Sequence, residues 1–203
     1  MAYRKFLDLN DVEKKFNVFQ KAKRIFEQPV QEAQPSNWLV ETLERNRGTI
    51  RMSTEKAVSE AIIMPILSEV QLRNKDKLTL FSGEILVGDK AMGLNGEIDF
   101  FFINRPDSYS VYAPVINVTE AKLNQAIEKS LAQAAAQMLG ARKFNEKNEN
   151  PIQTIHGAVA NAAEWQFLKL EGNTIWVDTD RYQTEKLSEL LGVFQVIVDF
   201  YNH

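Results

Sequence analysis

The stretch Gly96-Glu97-Ile98-Asp99-Phe100-Phe101-Phe102-Ile103-Asn104 is followed, after a short polar break, by Ala113-Pro114-Val115-Ile116-Asn117-Val118-Thr119-Glu120-Ala121-Lys122. Both runs have the apolar density of buried strands, and both carry acid where hydrocarbon is expected. Side chains alternate along a strand, so Ile116, Val118, Glu120 and Lys122 share one face of the second run. Asp99 likewise shares a face with Phe101 and Ile103 in the first. A buried charge is costly unless it is paired or binds a metal. These residues therefore either stand at the open end of a sheet or hold something.

Working outward, Lys77 to Val87 reads as a strand, with Gly83 marking a bulge, and Gly88-Asp89-Lys90 and Gly93 mark a turn. The three strands are joined by connections too short for crossovers, which predicts an antiparallel meander. Upstream, Ser53-Thr54-Glu55 starts a helix whose apolar residues nearly encircle it. On α-helical spacing Glu60 heads a stripe with Ile63, Met64 and Leu67, where a carboxylate either needs a partner or reaches solvent or Lys56. Pro65 should kink or interrupt this helix, because it lacks a backbone donor.

Downstream, Gln125 to Ala141 predicts a long Ala-rich helix able to approach a sheet closely, and Lys143 to Pro151 a polar loop. Ile152 to Ala160 reads as a strand, and His156 within it as a satisfied core residue. Trp165–Leu170 and Thr174–Val177 flank Glu171-Gly172-Asn173 as a hairpin. A last helix runs from about Gln183 to Tyr201.

At the other end, Asn10-Asp11-Val12-Glu13 reads as a capping box. Val12, Phe16, Phe19 and Phe26 recur at near-helical spacing up to Pro29, flanked by Lys14, Lys15, Lys21, Lys23 and Arg24. Residues 28–36 are polar with two prolines, and Ser36 caps a short helix carrying Trp38, Leu39 and Leu43. Arg45, Arg47 and Arg51 follow in a loop around Gly48; arginines so clustered suit phosphate oxygens.

The chain has 203 residues, 44% apolar and 25% charged, in the range of ordinary globular proteins. No apolar run approaches the ~20 residues that span a bilayer, and the first residues show no signal-peptide pattern. There is no cysteine, which excludes disulfides and thiolate metal sites and fits a cytoplasmic location. With only His156 and His203, a His-rich zinc site is disfavoured. A net charge of -3 gives no global attraction to nucleic acid, so a nucleic-acid partner requires a local basic surface. Walker, G-x-G-x-x-G, G-x-S-x-G and H-E-x-x-H motifs are absent.

Asp99 on one strand, Glu120-Ala121-Lys122 on the next and a helix directly after resemble the PD-(D/E)XK nuclease superfamily. The resemblance covers Glu55 to Ala160, about half of the chain. It implies an α+β, restriction-endonuclease-like αβββαβ core with a mixed central sheet flanked by helices. That core would occupy residues 53–203 of a single domain, with residues 1–52 as a helical extension and a C-terminal hairpin plus helix. It implies Mg²⁺ or Mn²⁺ held by Asp99, Glu120, the Ala121 carbonyl and Glu60, with Lys122 acting on the attacking water. In exonuclease-like branches the helix carries Q-x-x-x-Y; Gln133 matches the glutamine, but Gln137 stands where the tyrosine would be. The implied partner is nucleic acid, DNA first, with room for a homodimer or partner subunit.

Two other readings stand beside it. One is a non-catalytic protein of the same fold that binds nucleic acid or serves in an assembly. The other is an unrelated α+β ligand-binding domain in which Glu120 and Lys122 form only a surface ion pair.

Overall fold

The computed structural model describes residues 3–123 and 127–202. Its strands are β1 (Phe19–Lys23), β2 (Thr79–Asp89), β3 (Leu94–Ile103), β4 (Val115–Ala121), β5 (Thr154–Ala160), β6 (Glu164–Glu171), β7 (Thr174–Asp178) and β8 (Tyr182–Gln183). They form one mixed sheet in the order β1-β7-β6-β5-β4-β3-β2, with β8 beside β6. The helices are α1 (Leu9–Phe16), α2 (Asn37–Thr49), α3 (Glu55–Val58), α4 (Met64–Arg73), α5 (Leu131–Lys147) and α6 (Leu187–Phe200).

Helices cover both faces. On one, Leu39, Ile62, Ile66 and Phe194 pack against Phe100, Phe102 and Phe167. On the other, Val12, Ala135 and Met138 pack against Phe101, Val118 and Leu168. Every residue of β4 and β5 is buried, as strands sandwiched between helices require. The expected meander is present: β2 with β3 and β3 with β4 are antiparallel. The strand after the long helix, β5, pairs parallel with β4. The chain is thus mixed α+β with an open mixed sheet flanked by helices.

Several local expectations are corrected or refined. The N-terminal helix is capped by Asp8, whose side chain accepts from the Asp11 N–H, and ends at Asn17 in a left-handed conformation (φ 51°). The Phe19–Phe26 stretch does not continue it. Instead β1 lies parallel to β7, and the Glu13 carboxylate accepts the Gln20 N–H at 2.7 Å. Residues 1–52 are therefore not wholly helical. Apolar spacing was compatible with a helix, but Asn17 tolerates the left-handed turn that ends one.

Secondly, the helix capped by Ser36 runs to Thr49, which puts Arg45, Arg47 and Gly48 on α2 rather than in a loop. Thirdly, the interruption expected at Pro65 is present and takes the form of a π turn rather than a complete break. A π turn over Ser59–Ile63 joins α3 to α4 and places the proline in the first turn of α4. The Ala61 carbonyl, which an α-helical N–H at position 65 would have met, accepts from Asn46 Nδ2 at 2.8 Å.

A further correction lies in β4, where the pairing register shifts between Phe102–Asn117 and Ile103–Val115. The bulge turns Ile116 toward Phe100 and Phe102, and Val115 toward Val118. Glu120 therefore shares its face with Val118 but not with Ile116. The Ala-rich helix runs from Leu131 to Lys147 after a tight turn at Ile127–Ser130, extending into the expected loop. Its expected start at Gln125 and Ala126 lies outside the described residues. The last helix begins at Leu187, since Gln183 belongs to β8.

Helix α5 sits unusually close to the sheet. A Cβ on Gly88 of β2 would stand 2.3 Å from the Gly140 carbonyl oxygen of α5. This approach brings the polar side chains of α5 down onto β4.

Candidate functional site

Phe100 faces Thr119 across β3 and β4, so one step further out Asp99 faces Glu120. Asp99 Oδ2 accepts the Ala121 N–H at 2.8 Å, which ties the middle of β3 to the end of β4. Lys122 extends the pairing of β4 with β5 by one residue, its N–H donating to the Ala160 carbonyl at 2.8 Å. The sheet end is therefore built by the backbone, and it carries Asp99, Glu120, Ala121 and Lys122 together.

Glu120 is fully buried. Lys122 Nζ donates to its Oε1 at 2.5 Å, and Gln137 Nε2 donates to its Oε2 at 2.6 Å. Burial pushes the Glu120 carboxyl up to about 7, and the charge of Asp99 adds to the shift. Lys122 and Gln137 pull it the other way without cancelling it. Lys122 is itself nearly buried, and its ammonium also lies 3.9 Å from the Glu55 carboxylate.

Beside this end of the sheet lies an open cleft of about 520 Å³. Among the described residues, its wall carries Glu55, Glu60, Glu97 and Asp99 against one lysine, Lys56. Gly83 of β2, at a left-handed φ of 69°, also lines it, and open space surrounds the position its Cβ would take. It occupies the register position opposite Asp99, between the Ser82–Phe100 and Glu84–Ile98 pairs. Carboxylates so grouped make the cleft attractive to cations and, by themselves, repulsive to phosphate.

Glu60 does not head a buried stripe. Its side chain is 66% exposed and stands 3.8 Å from Lys56 Nζ. The π turn changes the spacing on which that stripe depended, so Ile63 is buried while Glu60 faces the cleft. The acid of this helix that reaches Lys122 is Glu55, read in the sequence only as a helix-dipole residue. The amide that reaches Glu120 is Gln137; Gln133 is half-buried one turn earlier. A glutamine buried in an Ala-rich helix needs a polar partner, and that signal was present in the sequence. Gln137 Oε1 remains without a hydrogen-bond partner. Arg45, Arg47 and Arg51 are exposed on and just after α2.

His156 is a satisfied core residue. Its Nδ1 lies 2.8 Å from Tyr201 Oη, which also reaches the Ile116 and Thr154 carbonyls at 3.1 Å. Burial lowers its pKa to about 3, with Lys169 adding to the shift. No helix among the described residues is long and apolar enough to cross a membrane.

No protein-family model matches the chain, and no curated protein matches it. The chemistry rests on geometry alone: two carboxylates on neighbouring strands, an ammonium in contact with one of them, and an acidic cleft alongside.

Proposed function

We propose that this chain is a divalent-metal-dependent nuclease of restriction-endonuclease-like fold, hydrolysing phosphodiester bonds in nucleic acid, DNA in the first instance. The observation that carries the reading is the placement of Asp99 opposite Glu120, with the Lys122 ammonium 2.5 Å from Glu120.

The donor set fits a hard cation. It is made of oxygen only, from two carboxylates on neighbouring strands and a backbone carbonyl. Mg²⁺ retains several waters and needs few protein ligands, so Asp99, Glu120 and the Ala121 carbonyl suffice, with Glu60 or Glu55 acting from the cleft. Such a cation, when bound, supplies charge stabilisation at phosphorus and a more acidic water. Lys122 Nζ is placed to orient the attacking water and to donate to developing negative charge on a phosphate oxygen. Gln137 fixes the Glu120 carboxylate in one rotamer through its Nε2. Arg45, Arg47 and Arg51 are the proposed contacts to flanking phosphates.

The test is cleavage of single- and double-stranded DNA at low salt, with Mg²⁺, Mn²⁺ or EDTA, by the wild type and Glu120→Gln. Metal-dependent cleavage by the wild type alone is expected. Equal cleavage by both proteins would sink the reading.

A second reading is favoured by one observation. Both Glu120 oxygens already have protein donors, as in a buried polar network that only locks the sheet end. Under it the chain is a non-catalytic nucleic-acid-binding or assembly protein, and no substrate is cleaved at any metal concentration.

A further inference from the structure

Lys21 and Lys23, two of the lysines that flank the expected N-terminal helix, lie on the edge strand β1. Phe19, Lys21 and Lys23 alternate along β1, so all three point to one face of the sheet edge. Lys21 pairs with Trp176 of β7, and Trp176 with Lys169 of β6. Lys23 Nζ stands 4.0 Å and Lys21 Nζ 5.7 Å from the Trp176 ring centroid. Lys169 Nζ pairs with Glu171 at 2.6 Å and lies 5.1 Å from the Phe200 ring. Phe19 is 58% and Phe200 47% exposed.

This is a basic surface interleaved with aromatic rings on a chain whose net charge is -3. Among the described residues, neither Lys21 nor Lys23 has a carboxylate within ion-pair distance; the carboxylate nearest in charge, Glu171, is paired to Lys169 and feels Lys23 only at longer range, so two cations stand against it. The indole restricts both lysine side chains, which reduces the entropy lost when they bind an anion. Phe19 stands next to Lys21 on the same face and supplies an apolar ring at the open end of the row. β1 runs parallel to β7 and, through the two antiparallel steps to β5, parallel to β4. Lys23 and Lys122 therefore lie at the same end of the sheet.

We infer that the β1–β7 face binds single-stranded nucleic acid, Lys21 and Lys23 contacting phosphates and Phe19 stacking on a base. Cations for the backbone and exposed rings for unpaired bases are the combination that single strands require. A duplex offers no free base face to Phe19, and an acidic protein makes no use of the ring. The surface lies apart from the carboxylate cleft, and its role does not depend on hydrolysis there.

The experiment measures fluorescence anisotropy of a labelled oligothymidylate of about 15 nucleotides with the full chain at low salt, in EDTA so that cleavage plays no part. The wild type binds, with affinity falling as salt rises. Lys21→Gln/Lys23→Gln binds about tenfold more weakly, with the salt slope reduced by roughly 1.4, about 0.7 for each phosphate contact. Phe19→Ala weakens binding roughly 5- to 100-fold and leaves the salt slope unchanged. Phe19 and Lys21 are exposed and Lys23 is half-buried at the sheet edge, and unchanged melting temperatures confirm folding of each variant. No binding by the wild type, equal affinity of the double lysine variant, tighter binding of a duplex, or equal competition by polyglutamate would each overturn the inference. Cleavage by a protein whose binding ignores these substitutions would leave the cleft reading standing without this surface.

Discussion

Gln137 Nε2 donates to Glu120 Oε2 at 2.6 Å, joining helix α5 to the last turn of core-facing residues on β4. It is one jaw of a clamp whose other jaw is Lys122, on Oε1. Leucine at position 137 keeps the volume and removes the donor. Losing a partner from a buried polar group costs about 1–3 kcal/mol. Gln137→Leu is expected to lose that much stability in urea denaturation at pH 8 and less at pH 5, where Glu120 is protonated. An equal loss at both pH values would show that Gln137 serves packing alone.

The pH dependence of stability follows from the raised Glu120 carboxyl. Its value climbs from the ordinary 4.5 to about 7 on folding, so between these values the folded chain holds a proton the unfolded chain has lost. That contribution is complete below about 4.5 and is lost as pH rises through about 7. Wild-type stability should fall from pH 5 to pH 8 by about 1–3 kcal/mol relative to Glu120→Gln, which cannot titrate there. Glu69 and Glu171, whose carboxyls are held low by Ser36 and Arg73 and by Lys169, act in the opposite direction but equally in both proteins. A parallel pair of stability curves would refute the assignment.

Metal binding is testable without turnover. Asp99→Asn keeps an acceptor for the Ala121 N–H and removes the charge. A ligand that binds only the folded chain stabilises it by about 2.7 kcal/mol at a hundred times its Kd. Mn²⁺ should raise the melting temperature of the wild type and leave that of Asp99→Asn almost unmoved. Equal shifts would place the ion elsewhere.

Lys122 separates chemistry from stability. It is only 6% exposed, and removing one member of a buried ion pair costs about 3–5 kcal/mol. Lys122→Met should therefore be destabilised as well as inactive, and Lys122→Met/Glu120→Gln should regain much of the stability without regaining cleavage. Loss of a general acid or base lowers rate about 10²–10⁴-fold. Recovery of cleavage in the double variant would show that neither Lys122 nor Glu120 acts in the chemistry and would overturn the nuclease reading of this site.

Alternation along β4 put Ile116, Val118, Glu120 and Lys122 on one face, of which the structure moves Ile116 to the other; short connections made the meander antiparallel, as it is. The hairpin around Gly172 (φ 54°) was likewise legible, because turn chemistry is local. Local periodicity says which side chains share a face of one element. It does not say how far that face stands from the next element, nor where the period is broken. The π turn over Ser59–Ile63 carried Glu60 outward, while Glu55, at the head of the same helix, came within 3.9 Å of Lys122. The bulge in β4 reversed Ile116, and the tight contact between Gly88 and Gly140 helped bring α5 down so that Gln137 met Glu120. Phe19 continued the near-helical spacing of Val12 and Phe16, yet Phe19 to Lys23 became an edge strand, because β7 offered a row of backbone partners that no neighbouring sequence announces. Charge and periodicity were properties of the sequence by itself; which charges meet, and which remain exposed, was decided by packing between segments far apart in the chain.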